Sequence, residues 1–190
     1  MNAYRLFIAL ELPEHVRTSI LAARDEWRMS LPSQSVRWTR PEQLHVTLKF
    51  LGNVDAGRID ELIAAITRTA SGFGELRLRA GGLGMFPNRH RPRVLWIGVD
   101  DGGGRLAGLQ RAVEAAATPF TAEKPGETFT GHVTIGRCES GHQKELVRLG
   151  TRPAVANRRL GEWTAGSVAI VRSELGPGGS RHTRLAVVPL

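Results

Sequence analysis

Apolar residues recur along this chain with two periods, and the change from one to the other marks out its elements. The stretch YRLFIALEL (4–12) reads as a strand that ends at Pro13. In PEHVRTSILAARDEWRMSL the period lengthens. Val16, Ile20, Ala23 and Trp27 recur at helical spacing, Pro13 suits a first turn, and Glu14 sits near the positive end of the helix dipole. SVRWT (35–39) is a short extended piece, and PEQLHVTLKFLG (41–52) is a strand closed by Gly52. DAGRIDELIAAITRTASGF (55–73) repeats the helical pattern through Ile59, Leu62, Ile63 and Ile66. GELRLRAGGLGMF (74–86) is a strand interrupted by glycines, and PNRHRPR (87–93) is a basic, turn-rich loop. VLWIGVD (94–100) is apolar at almost every position, which predicts a central strand.

The second half repeats the scheme. GRLAGLQRAVEAAAT (104–118) reads as a helix and PFTAEKPGE (119–127) as a loop. TFTGHVTIGR (128–137) is a strand and HQKELVRLG (142–150) a short helix. SVAIVRSEL and TRLAVVPL are strands around the turn GPGGS (176–180). With strands and helices mixed and no Pro/Ser linker, the pattern predicts an α+β protein of two lobes over residues 1–190. Each lobe is a sheet backed by helices, and each carries one copy of the tripeptide His-Val-Thr.

The two copies divide their residues in the same way. Side chains alternate across a strand. In LHVTLKF this predicts Leu44, Val46, Leu48 and Phe50 on one face and His45, Thr47 and Lys49 on the other. In GHVTIGR it predicts Val133 and Ile135 opposite His132 and Thr134. If both polar faces line one cleft, two imidazoles and two hydroxyls meet one small anion. That set suits phosphodiester chemistry: a neutral histidine takes a proton from the attacking oxygen, a protonated one gives a proton to the leaving oxygen, and threonine hydroxyls hold the phosphate oxygens. No metal is required, and the carboxylates nearest in sequence (Glu11, Glu42, Asp55, Glu139) form no ligand cluster. A single such tripeptide would more often be a half-buried structural histidine; the second copy is what suggests a shared site.

Composition narrows the partner. The chain of 190 residues has 26 Lys+Arg against 18 Asp+Glu, a formal net charge of +8, with the excess spread along its length. A polyanion such as RNA, DNA or a nucleotide fits that balance, as does a surface that simply uses arginine. The single cysteine, Cys138, forbids an internal disulfide and a cysteine-based zinc site. No apolar run approaches a membrane span, and the N-terminal stretch, broken by Glu11 and Pro13, reads as a strand rather than a signal peptide. A cytoplasmic enzyme or binding protein is expected. DDGGGR (100–105) lacks the phosphate-loop pattern of an ATP site.

The two motifs have the form His-x-Thr/Ser-x with apolar flanks, and in this they resemble the signature of the two-histidine (2H) phosphoesterases. Together with RLFIALELP, VRWTRPEQLHVTLKFLGNV, GLGMFPNRHRPRVLWIGV, FTGHVTIGR and IVRSELGPGGSRHTRLAVVPL, they make nearly the whole chain, from Tyr4 to Leu190, similar to the LigT-like RNA 2′,3′-cyclic phosphodiesterases. The resemblance implies a bilobal, pseudo-symmetric fold of two antiparallel-rich sheets backed by helices around a central cleft. It implies hydrolysis of RNA 2′,3′-cyclic phosphate ends to 2′-phosphomonoesters without cofactor or metal, and a reversible 2′-5′ RNA ligation. RNA ends, tRNA fragments among them, are the implied partner, and a monomer the expected state. By the same resemblance His45 is the general acid, His132 the general base, and Thr47, Thr134 and Arg137 bind the phosphate. In a regular strand Arg137 would point away from His132, so its role needs a twist or the strand's end there.

Two positions depart from the family pattern: Gly131 stands where proline is usual, and Gly136 where alanine is frequent. Altered rigidity is the expected consequence. His182 occupies a position where an aromatic residue is common, which suits a packing role. Phe7 and Trp38 are candidates to stack on a terminal base, with core packing as the competing role. The loop NRHRPR could contact phosphates upstream of the RNA end or be a solvated turn. Two alternative functions stay open. One is a phosphodiesterase for a small cyclic nucleotide or ADP-ribose cyclic phosphate. The other is a non-catalytic RNA-end-binding module, which would have no need of two titratable imidazoles.

Overall fold

The computed structural model of the chain describes residues 2–124, 128–176 and 179–190. Part of the expected loop 119–127 (125–127) and of the turn 176–180 (177 and 178) lies outside the described residues. The strands are β1 (Ala3–Glu11), β2 (Val36–Trp38), β3 (His45–Asp55), β4 (Leu76–Phe86), β5 (Val94–Asp100), β6 (His132–Cys138), β7 (Arg159–Ala165), β8 (Ser167–Gly176) and β9 (Gly179–Pro189). The helices are α1 (Glu14–Met29), α2 (Ile59–Ala70), α3 (Arg105–Ala117), α4 (Gln143–Gly150) and α5 (Pro153–Ala156).

All described strand pairs are antiparallel and run in the order β7-β4-β5-β6-β3-β1-β8-β9, with the short β2 on β6. Two four-strand halves are thus visible. They meet where β3 joins β6, through a single residue pair, Val46 and Val133. The valines of the two His-Val-Thr tripeptides are therefore the seam of the sheet. The helices lie on its apolar face: α1 against β7, α3 against β3 and α2.

The amphipathic stripe read for α1 is the stripe that is buried: Val16, Ile20 and Ala23 are fully enclosed and Trp27 is 2% exposed. Burying aliphatic side chains of this size contributes about 1.5–3 kcal/mol each. α2 buries Leu62, Ile66 and Ala70 in the same way. β5 lies between β4 and β6, as its apolar run predicted. No helix among the described residues is long and apolar enough to cross a membrane.

Three boundaries differ from the periodicity. β3 does not close at Gly52; that residue takes a positive φ of 63° and the strand continues to Asp55. β6 begins at His132 rather than Thr128; just ahead of it the Thr130 carbonyl accepts from the His132 ring rather than from a neighbouring strand. Helix α5 and strand β7 were not marked by any apolar period. In RLGEWTA only Leu160, Trp163 and Ala165 are buried, and Gly161 and Glu162 break the alternation.

Candidate active site

The cleft face of the sheet follows from the strand register, since residues paired across an antiparallel ladder point to the same side. On β1 and β3 the pairs Glu11–His45, Ala9–Thr47 and Phe7–Phe50 share one face. The pairs skip Leu48 and Leu51, so there are two bulges in β3. Each bulge adds one residue and reverses the alternation beyond it. The simple period of two therefore fails after Thr47. Lys49, expected beside His45 and Thr47, is turned to the apolar side and is 6% exposed. Phe50, expected in the core, is turned out and is 59% exposed. Lys49 ends against α3, with Nζ 2.5 Å from Glu114 Oε1, and also donates to the carbonyls of Glu123 and Lys124.

A third bulge resolves the orientation of Arg137. On β5 and β6 the pairs are Gly98–His132, Ile97–Val133, Trp96–Thr134, Leu95–Gly136 and Val94–Arg137, with Ile135 skipped. Beyond it, Gly136 lies on the apolar side and Arg137 on the side of His132 and Thr134. Arg137 is exposed there, opposite Arg37 of β2. The same register turns Trp38, the partner of Gly136, to the opposite face. It packs on the core beside α1, away from the histidines, so the stacking role considered for Trp38 has no geometry to support it.

The tripeptides face each other in head-to-tail fashion. Because Val46 pairs with Val133 in an antiparallel ladder, His45 lies alongside Thr134, and Thr47 alongside His132. All four side chains are half-buried. Their surroundings differ. The His45 ring stacks on Phe7, with centroids 4.6 Å apart and planes at 22°, and the edge of His182 approaches to 5.5 Å. Phe7 is 3% exposed and packs with Ala9, Ala169 and Val171. Its ring face is taken by His45, so it serves as a support for the imidazole rather than as a platform for a base. Beside these rings is a pocket of about 290 Å³ whose charged and titratable lining is Glu11, Arg17, Glu42, His45, His182 and Arg184.

His132 is held differently. Its Nδ1 lies 2.7 Å from the Thr130 carbonyl oxygen. A carbonyl only accepts, so Nδ1 carries the proton and Nε2 is left with its lone pair. Phe86 meets the ring edge-on at 5.0 Å and Trp96 lies at 5.9 Å. The Trp96 ring fits because residue 84 is glycine: a Cβ there would come within 2.1 Å of the indole. The glycines that seemed to interrupt β4 include one that makes room beneath the second histidine.

Gly131 and Gly136 are explained by close approach rather than by rigidity. A Cβ at Gly131 would lie 2.3 Å from the Val99 carbonyl oxygen, and one at Gly136 would lie 2.5 Å from Val36 Cγ1. Both sites are filled by neighbours that leave no room for alanine.

The electrostatics favour neutral rings in the free protein. Burial, with lesser contributions from His182 and His132 and an opposing one from the Gln43 backbone, lowers His45 to about 4. Burial also lowers His132, against the upward pull of the Thr130 carbonyl, and lowers His182, against the upward pull of Glu42. A bound phosphate anion would oppose these shifts and favour the imidazolium.

The cleft also holds the rings of Phe50, Phe86 and Trp96. Nothing in the local pattern marks them, because Phe50 reaches the cleft only through a bulge and the other two only through the pairing of β4, β5 and β6. His182 packs on Phe7 at 4.9 Å, the role its position suggested, and is also a titratable neighbour of His45.

Known proteins share this arrangement of strands. The family model described as LigT like Phosphoesterase matches residues 10–96. An RNA 2′,3′-cyclic phosphodiesterase of Thermus thermophilus is 35% identical over 187 residues, covering 95% of this chain and 87% of that protein. One of Methanothermobacter thermautotrophicus is 28% identical over 188 residues, covering 98% of each. The crystal structure of the Thermus thermophilus protein TT0787 superposes with a TM-score of 0.76 at 29% identity, covering 98% of this chain and 97% of that one. Similarity of this extent, over nearly the whole chain, makes it a member of the LigT-like 2H phosphoesterases.

Proposed function

We propose that residues 1–190 act as one bilobal unit that hydrolyses the 2′,3′-cyclic phosphate at the end of an RNA strand to a 2′-phosphomonoester. The pairing of the two His-Val-Thr strands at Val46 and Val133 is the observation that carries this reading. Two imidazoles and two hydroxyls border one seam, and the names of the relatives specify the ester. The Nε2 lone pair of His132, oriented by the Nδ1–H bond to Thr130, takes a proton from water. The water oxygen attacks phosphorus, the P–O3′ bond breaks, and His45 delivers the proton that makes O3′ a hydroxyl. Thr47, Thr134 and Arg137 donate to the non-bridging oxygens as charge builds on them. None of these steps calls on a metal ion. With an RNA 5′-hydroxyl in place of water as the nucleophile, the same groups in the same roles would break P–O3′ and join the two strands through a 2′-5′ linkage.

His45 serves as an acid only when protonated, and the free site disfavours that. The negative phosphodiester supplies the compensation, so the acid is charged mainly in the substrate complex.

The decisive test is incubation with an oligonucleotide bearing a 2′,3′-cyclic phosphate, in EDTA, with identification of the product. A 2′-phosphate is expected. A 3′-phosphate, or no turnover, would overturn the reading.

The pH dependence follows from the same shifts. kcat/KM reports the free enzyme, whose active form holds one proton shared between the two histidines. Activity falls at low pH as the base is protonated, and at high pH as the acid loses its proton. Since both groups are lowered from 6.5, one of them to about 4, the maximum of kcat/KM is expected on the acid side of 6.5, with a decline through neutrality. A maximum at pH 8 would contradict this account.

A further inference from the structure

The two walls of the cleft differ in how their charge is used. In the pocket on the His45 side both lining arginines are committed: Arg184 is paired with Glu11 at 3.4 Å and Arg17 with Glu14 at 3.4 Å, and Glu42 adds a further carboxylate. On the His132 side they are not. Arg37 and Arg137 sit opposite each other on β2 and β6, on the cleft face. The β4–β5 loop that follows Phe86, the residue whose ring meets His132, carries Arg89, Arg91 and Arg93. The Arg93 amide donates to the Phe86 carbonyl, and its own carbonyl accepts from the Cys138 amide, so the loop is anchored to β6 next to Arg137. All five arginines are exposed, and among the described residues none of them makes an ion pair.

We propose that this arginine lip, Arg37 with Arg89, Arg91 and Arg93, takes the phosphodiester backbone of the nucleic-acid strand leading to the reacting end. It would make the protein an enzyme of oligonucleotide ends rather than of free cyclic nucleotides. The inference rests on the proposed reaction and adds a direction to it: the strand leaves the cleft over the His132 wall. Unpaired guanidinium groups along one edge are suited to successive phosphates, since each phosphate neutralised releases counterions. They are exposed side chains on a strand edge and a turn, so their loss should leave the folded core intact. One free phosphate would be satisfied by Arg137 and the threonines, which leaves Arg37 and the loop arginines available to further phosphates.

The experiment compares two substrates: a single-stranded decanucleotide ending in a 2′,3′-cyclic phosphate, and a 2′,3′-cyclic mononucleotide. Replacing Arg37, Arg89, Arg91 and Arg93 together by glutamine is expected to lower kcat/KM for the decanucleotide by about tenfold or more at low salt. It should also flatten the salt dependence, by about 0.7 in slope for each phosphate no longer neutralised. The mononucleotide should change by less than about twofold. Arg68→Gln with Arg111→Gln, on the outer surface of α2 and α3, removes charge without touching the lip and should leave both substrates unaffected. Equal loss for the two substrates, or no loss for either, would overturn the proposal. If the wild-type protein hydrolyses neither substrate, the proposed reaction fails. Fluorescence anisotropy of the labelled decanucleotide then decides the lip by itself: the quadruple variant must bind more weakly and with a shallower salt slope, or the surface is not a strand-binding one.

Discussion

Replacing His132 by alanine is expected to lower kcat/KM for a cyclic-phosphate end by about 10²–10⁴-fold, the usual contribution of a positioned proton-transfer group. His45→Ala is expected to do the same. The double variant should lose little more than either single one, because an acid and a base that act in one concerted transfer are not additive. The two losses should nevertheless differ in their pH profiles. Without His132 the acid limb of kcat/KM should disappear, as no base remains to be protonated. Without His45 the alkaline limb should flatten. Interchanged profiles would assign the roles the other way round, with His45 as base. Thermal melts of each variant separate chemistry from folding. His45 stacks on the buried Phe7, so its removal opens space beside the small cluster of Phe7, Ala9, Ala169 and Val171, whereas His132 rests against the half-buried Phe86 and Trp96.

The largest stability effect is expected at Lys49. Its ammonium is enclosed, paired with Glu114 and bonded to two carbonyls of the segment that follows α3. Lys49→Met leaves the Glu114 carboxylate without its cation. Breaking a buried pair from one side costs about 3–5 kcal/mol. The lower end is expected here, because Glu114 is 17% exposed in its side chain and also accepts from Gln110. Urea unfolding measures it directly. The double variant Lys49→Met, Glu114→Leu removes both charges and should recover most of the loss, since the desolvation cost vanishes with the pair. KM should stay unchanged in both. A raised KM at unchanged stability would mean that Lys49 faces the cleft after all, as plain alternation along β3 suggests.

That contrast shows how the sequence was informative and where it stopped. The helices α1 and α2 were legible because a 3.6-residue stripe reports burial directly, whichever surface it meets: Val16, Ile20, Ala23 and Trp27 had only one way to be covered. The apolar run of β5 did indicate a strand inside the sheet, but its burial alternates: Leu95, Ile97 and Val99 are covered, while Val94, Trp96 and Gly98 are half-buried on the cleft face. Strand β7 was not legible, since its short run RLGEWTA borrows its burial from β4 and α1.

The candidate site divides along the same line. By itself the sequence determined the candidate set: two tripeptides in which His and Thr share one face and Val takes the other, a basic chain suited to an anion, and a family resemblance that suggested the ester. These are local properties, carried by alternation over three residues. Only the tertiary structure decided what lies beside that set. Three bulges, at Leu48, Leu51 and Ile135, exchange Lys49 for Phe50, turn Arg137 toward His132 and turn Trp38 away. A bulge is a mismatch in count between two paired strands, so neither strand's sequence contains it. The same holds for the protonation of the histidines, which is fixed by burial against Phe7, by His182 from β9 and by the Thr130 carbonyl. The seam at Val46 and Val133 joins residues 87 positions apart, and chain folding alone brings the identical tripeptides into one cleft.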